Sequence, residues 1–248
     1  MYPNVLALDD QRIATPNLAP GTRVYDEDLL TIDGVEWRTW NPMRSKLGSY
    51  IVKGGRNFPL QRDSKVVYLG AANGTTPSHV SDIVREGVLV AVEFSPRSFR
   101  DLMRVAADRP NMLPILADAW RPELYERFVG KVDLLFQDIA QRQQAQIFAK
   151  NLTVFRPSMG ILAVKARSVD VAANPRDVYE QVAAAVESLT EYRVIETVDL
   201  GPFERDHAAL VVVPGEGGRK PARQQERREE RPQREERPRF DRGDRPQR

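Results

Sequence analysis

The sequence predicts an α/β fold. A doubly wound, mostly parallel sheet carries an antiparallel hairpin at one edge, with a small antiparallel β unit ahead of it and a disordered tail behind. Three observations lead there. From residue 65 onward, short apolar runs alternate with helical stretches; the first 52 residues alternate apolar and polar side chains between turn signals; and residues 219–248 hold almost nothing apolar.

The N-terminal stretch is punctuated by Ala19-Pro20-Gly21, Asp33-Gly34 and Asn41-Pro42, and Val35-Glu36-Trp37-Arg38-Thr39-Trp40 repeats with a period of two. That period sends successive side chains to opposite faces of a strand. Residues 1–52 therefore read as a small N-terminal antiparallel β domain, and Lys53-Gly54-Gly55-Arg56 as a linker. The second domain, residues 53–214, contains VVYLG (66–70), VLVAVEF (88–94), MLPILAD (112–118), VDLLFQD (132–138) and ILAVKA (161–166). Runs apolar on both faces suit parallel strands covered by helices on each side. Thr76-Pro77, Ser95-Pro96 and Asn174-Pro175 each place a capping side chain before a proline at the first helical position. Phe99, Leu102, Met103 and Ala106 then share one helix face, as do Val178, Val182, Ala185, Val186 and Leu189. YRVIETVDL (192–200) and HAALVVVP (207–214) have no helix between them, so they form the edge hairpin. Residues 215–248 read as tail.

Composition bounds the chemistry. The chain has 248 residues and a net charge of +2. Residues 219–248 carry twelve basic and seven acidic side chains, which leaves the body slightly acidic at −3. The tail's apolar side chains, prolines aside, are Ala222 and Phe240, too few to offset the entropy of ordering it. The absence of cysteine excludes disulfides, thiolate metal sites and a cysteine nucleophile, two histidines leave little for a His-rich metal site, and no metal is expected. No run reaches the roughly 18–20 apolar residues of a membrane span. MYPNVLALDDQR lacks the basic and apolar regions of a signal peptide, so a cytoplasmic protein is expected.

Ligands of open α/β sheets bind beyond the carboxyl ends of the strands. The first run there ends in Gly70-Ala71-Ala72-Asn73-Gly74-Thr75-Thr76, a tight turn before a helix. Ala72 breaks the GxGxxG pattern and no Gly-Lys-Ser/Thr follows, so a cofactor without pyrophosphate is better supported than a dinucleotide. The second run ends in Glu93, placed to accept both hydroxyls of an adenosine ribose; the third ends in Asp118, able to accept from an adenine amino group; the fourth ends in Asp138. Three acidic strand ends after a Gly-rich turn suit S-adenosyl-L-methionine, an adenosine joined to a sulfonium cation. Lys165 lies inside an apolar strand, where it needs a carboxylate partner or a role beside Asp138 facing a reacting hydroxyl. His207 and His79 read as structural, and Lys46 is unassigned by pattern alone.

The segments LGAANGTT (69–76), AVEFSPR (91–97), DIAQ (138–141), KARS (165–168) and DHA (206–208) resemble the fibrillarin family in its archaeal form. So do NLAPG (17–21), Val24-Tyr25 and WNPMRSKL (40–47), and the resemblance covers about residues 15–214. The resemblance implies a Rossmann-like class I methyltransferase sheet that uses S-adenosyl-L-methionine. It implies methylation of ribose 2′-hydroxyls in rRNA and tRNA inside a box C/D ribonucleoprotein. The implied partners are a guide RNA, a Nop-family scaffold protein and a kink-turn-binding ribosomal-type protein. By motif match, cofactor contacts fall on Gly70, Ala71, Thr75, Thr76, Glu93, Phe94, Asp118, Ala119, Asp138, Ile139, Ala140 and Gln141, and the catalytic set on Lys46, Asp138, Lys165 and His207. Asn73 stands where the family has serine, and the Arg/Glu/Pro-rich tail is not part of the archaeal core.

Overall fold

A computed structural model describes residues 2–215; the tail whose disorder the sequence predicts lies outside the described residues. The chain opens with an antiparallel sheet of β1 (Leu6–Ala7), β2 (Ile13–Pro16), β3 (Leu29–Ile32) and β4 (Val35–Trp40), in the order β1-β2-β4-β3. Asp33 and Gly34 both take positive φ, 51° and 76°, as a two-residue turn matched to strand twist requires.

Residues 42–52 depart from the expected β reading. A 3-10 turn over Pro42–Arg44 leads into α1 (Lys46–Val52). Two successive caps start it: the Asn41 side chain accepts from Met43 N–H at 2.9 Å, and Ser45 Oγ from Gly48 N–H at 3.1 Å. Gly48 lies flat under Trp40, where a Cβ would sit 3.0 Å from the indole nitrogen. Nor is the stretch after α1 a free linker. Lys53 Nζ donates to the Gly201 carbonyl at 2.7 Å, and Arg56 N–H to the Glu196 carboxylate at 2.9 Å.

The main sheet has seven strands in the order β10-β11-β9-β8-β5-β6-β7. They are β5 (Lys65–Leu69), β6 (Val88–Glu93), β7 (Met112–Leu116), β8 (Leu134–Gln137), β9 (Met159–Lys165), β10 (Tyr192–Asp199) and β11 (His207–Pro214). Strands β5 to β9 are parallel; β11 is antiparallel to both β9 and β10, which is the predicted edge hairpin. Along β5, Val66 and Tyr68 enter one core and Val67 and Leu69 the other, which is why the run is apolar throughout. The covering helices are α2 (Thr75–Ile83), α3 (Pro96–Ala107), α4 (Gln144–Phe155), α5 (Ala166–Val169) and α6 (Pro175–Leu189). Ser95 and Asn174 cap α3 and α6 as predicted. Helix α2 begins earlier than the sequence suggests: Gly74 at φ +90° precedes it, and the Thr76 hydroxyl donates instead to Ser45 Oγ at 3.0 Å. The chain runs outward from β5 through β6 to β7 and then crosses back to β8 on the other side, so the strand order reverses between β5 and β8. That reversal opens a crevice at their carboxyl ends.

A buried polar network joins the small sheet to α2. Arg38, on β4, donates to Glu27, to Asp82 and to Ser78, and all four are buried. His79 stacks on Trp40 with ring centres 4.9 Å apart, and its two nitrogens lie 2.8 Å from Thr15 Oγ1 and 2.6 Å from the Tyr25 hydroxyl. Burial, reinforced by Arg38 and Arg109, holds His79 well below the usual histidine value of 6.5. The folded protein therefore leaves this ring neutral, while the unfolded chain protonates it below about pH 6.5, so stability is lost as pH falls. Urea unfolding between pH about 7.5 and about 5 is expected to show His79 contributing a loss of stability as pH falls, with a slope that rises toward the one-proton limit of about 1.4 kcal/mol per pH unit. His79→Gln should lack that one-proton slope, and an unchanged slope would rule the assignment out.

Candidate active site

The crevice collects what each strand end carries. Glu93 is the last residue of β6, Asp118 follows β7, Asp138 directly follows β8, Lys165 closes β9 and His207 opens β11. Because β11 runs antiparallel, its first residue returns to the same edge, and His207 pairs with Lys165 in register.

A cavity of about 300 Å³ sits there, lined chiefly by Gly70, Glu93, Phe94, Asp118, Asp138 and Lys165. Ala119, Ile139, Ala140 and Gln141 also line it. Gly70, at φ +82°, passes so close to the turn after β8 that a Cβ would meet the Asp138 carbonyl oxygen at 2.6 Å. Only glycine leaves the floor of the crevice open there. Ala72 takes a positive φ of 48° and donates its N–H to Glu93 Oε2 at 2.8 Å. Glu93 Oε1 accepts from Ser95 N–H at 2.7 Å, so one carboxylate ties the Gly-rich turn to the start of α3. Asp118 Oδ1 accepts from Trp120 N–H at 2.9 Å. Phe94 leaves 69% of its surface exposed at the rim.

Three residues named by motif match do not line this cavity. Ala71 is packed in the core, Thr76 is buried with its hydroxyl on Ser45, and Thr75 begins α2 beside them. Ala72 does line it and escaped the sequence reading, because alanine at a left-handed position leaves no signal in the sequence.

The predicted catalytic residues do meet. Lys165 Nζ stands 2.8 Å from Asp138 Oδ1, an ion pair without the alignment of a hydrogen bond, and 3.5 Å from the Asp138 carbonyl. Lys46 Nζ approaches the other carboxylate oxygen at 3.5 Å. Lys46 reaches it because the Ser45 cap fixes the start of α1 and is itself bound by Thr76 of α2. His207 Nδ1 lies 2.6 Å from the Arg205 carbonyl. A carbonyl only accepts, so in the neutral ring Nδ1 carries the hydrogen and Nε2 is bare. Burial holds His207 below the usual 6.5; the Arg205 carbonyl opposes the shift and Lys46 adds to it.

Glu204 completes the cluster and was not anticipated. Its carboxylate lies 3.6 Å from Lys46 Nζ and 3.9 Å from His207 Nδ1. It sits in the loop between β10 and β11, where no periodicity marks it; its one trace is a position three residues before His207. The cluster thus sets two lysines against two carboxylates, with a neutral imidazole beside them. Such a group can orient a hydroxyl, offset charge developing on its oxygen and receive its proton.

A family profile described as fibrillarin matches residues 1–215. The fibrillarin-like rRNA/tRNA 2′-O-methyltransferase of Methanosarcina barkeri is 48% identical over 207 residues, which is 82% of this chain and 91% of the relative. Among solved structures, Aeropyrum pernix fibrillarin in complex with natively bound S-adenosyl-L-methionine is similar at a TM-score of 0.75 and 43% identity, covering 82% of this chain and 89% of that one. A chain of a fibrillarin/Nop5p complex is similar at a TM-score of 0.77 and 38% identity, covering 86% of this chain and 99% of that one.

Proposed function

This chain belongs to the fibrillarin family, and from that premise we propose that it is an S-adenosyl-L-methionine-dependent ribose 2′-O-methyltransferase of rRNA and tRNA, working within a box C/D guide ribonucleoprotein. The observation that carries the reading is the Asp138 carboxylate held between Lys46 and Lys165 at the mouth of a pocket bearing two further acidic strand ends.

The pocket's chemistry fits the cofactor. Its volume lies at the lower end of ligand cavities. Glu93 would accept the ribose hydroxyls, Asp118 the adenine amino group, and the exposed Phe94 ring offers a stacking face. The Gly70 turn and residues 138–141 would enclose the remainder. When bound, S-adenosyl-L-methionine supplies an electrophilic methyl group on a sulfonium. The chain's own residues do the rest. Asp138 and Lys165 hold the 2′-hydroxyl for in-line attack, so positioning supplies much of the acceleration. The Lys165 ammonium offsets the charge growing on the oxygen. Two acceptors for the proton stand in the cluster, the Asp138 carboxylate and the bare Nε2 of His207. Lys46 orients the ribose and its flanking phosphate, held in place by Glu204.

A slightly acidic body accords with delegated recognition. A guide RNA reads the sequence by base pairing, while a Nop-family scaffold and a kink-turn-binding protein hold the assembly. The test is methyl transfer to a target RNA with and without scaffold and box C/D guide. Guide-dependent 2′-O-methylation supports the reading; activity without any guide, or none in the full assembly, overturns it. Within the pocket, Glu93→Ala should raise the cofactor dissociation constant about 10–100-fold by calorimetry, the worth of hydrogen bonds to a charged group. An unchanged constant would remove Glu93 from the cofactor's contacts.

A further inference from the structure

We propose that Gln144 is a positioning residue for Lys165, replacing the neighbour that Lys165 lacks on its β8 side; the catalytic meaning of this rests on the function proposed above. The β8–β9 ladder ends at the pair Gln137 and Leu162. Beyond it, β8 leaves the sheet at Asp138, while β9 runs three residues further to Lys165. Gln144, the first residue of α4, fills the last vacant place with a fully buried side chain. Its Oε1 accepts from the Lys165 N–H at 3.0 Å, and its Nε2 donates to the Lys165 carbonyl at 3.1 Å. A parallel neighbour would occupy the same two groups through two of its residues; here one side-chain amide occupies both. The peptide also fixes which way the amide faces, since an N–H only donates and a carbonyl only accepts.

Gln144 is anchored in turn. Its backbone carbonyl accepts from Gln137 Nε2 at 2.8 Å. A chain of two glutamines therefore joins the end of β8 to the end of β9 where the ladder lapses. Asp138 follows directly on one end of this bridge, and Lys165 is the other end, so the bridge sets the distance between the two members of the ion pair. Without it, two peptide groups of Lys165 lose their partner at the base of a long, flexible side chain. A misplacement of about 1 Å at a reacting group costs about 100-fold in rate.

Two substitutions test this in the assembled guide complex. Gln144→Met keeps the volume and removes both bonds. It is expected to slow single-turnover methyl transfer about 10–100-fold, to leave cofactor affinity within about threefold, and to speed hydrogen exchange at the Lys165 amide. Gln144→Glu distinguishes positioning from mere packing. A protonated carboxyl offers one donor and one acceptor, as the amide does, whereas a carboxylate offers acceptors only. The ratio of the Gln144→Glu rate to the wild-type rate should therefore climb as pH falls from about 8 to about 6, while the Gln144→Met ratio stays level. The inference fails if Gln144→Met keeps the wild-type rate, if cofactor affinity falls as far as the rate, if the Gln144→Glu ratio is level, or if Lys165 amide exchange is unchanged in Gln144→Met. A wild-type complex that methylates no RNA would overturn the proposed function, and the exchange comparison would still decide the role of Gln144.

Discussion

Lys165→Ala is expected to slow single-turnover 2′-O-methylation about 10²–10⁴-fold, the range for losing a positioned acid–base or charge-stabilising group. Cofactor affinity should stay within a few fold. The split follows from geometry. Lys165 touches Asp138 Oδ1, whereas the acidic residues suited to the adenosine, Glu93 and Asp118, are held by backbone N–H groups elsewhere in the pocket. Lys46→Ala should cost less, since Lys46 Nζ stands at 3.5 Å and 3.6 Å from its two carboxylates. Lys165→Arg is not expected to restore the rate, because a planar guanidinium cannot stand in for a compact ammonium between a carboxylate and a hydroxyl. The measurement is rapid quench with labelled cofactor in the assembled complex, with calorimetry alongside. A Lys165→Ala variant within tenfold of wild type, with cofactor bound, would remove Lys165 from the chemistry.

The residues of this site differ in how plainly the sequence announces them, and the reason is physical. Glu93, Asp138 and Lys165 end apolar runs, and a parallel sheet brings such ends to one edge whatever the details of packing. Lys46 belongs to a seven-residue helix containing glycine and β-branched residues, too short to be stable alone. It forms because two caps start it and Trp40 covers Gly48, so its helical character is settled by tertiary contacts. Glu204 and Gln144 are harder still. Each acts through a partner close in space but distant in sequence, Lys165 for Gln144 and Lys46 for Glu204, and neither is marked by periodicity, capping or composition. The Thr76-Pro77 signal misled for a related reason: the turn that starts α2 is set by Gly74 and the close passage of β5 against β8, and the threonine hydroxyl is drawn to Ser45.

Arg38→Met is expected to destabilise the protein by about 3 kcal/mol, the lower end of the cost of breaking a buried ion pair from one side. Arg38 is fully buried, bonding Glu27 through one nitrogen and Asp82 and Ser78 through the others. Removing it leaves two carboxylates in place. The loss is cushioned, because Glu27 still accepts from the N–H groups of Val24 and Tyr25, both at 2.8 Å. Asp82 likewise keeps Thr15, Leu18 and Arg109 at 3.0, 3.0 and 3.3 Å. A double-mutant cycle with Asp82→Asn, followed by urea unfolding, should return a coupling energy of about 1–3 kcal/mol, since neutralising Asp82 relieves part of what the loss of Arg38 exposes. A destabilisation under about 1 kcal/mol, or strict additivity, would mean the network adds no net stability. The consequence reaches the active site by a short path. Strand β4, which bears Arg38, runs through Trp40, the Asn41 cap and the 3-10 turn over Pro42–Arg44 into α1, whose first residue is Lys46. Loosening the small sheet from α2 therefore loosens Lys46 against Asp138. Arg38→Met should lower the methylation rate at temperatures where the protein is still folded, and by no more than Lys46→Ala does, because Lys165 is held by the main sheet.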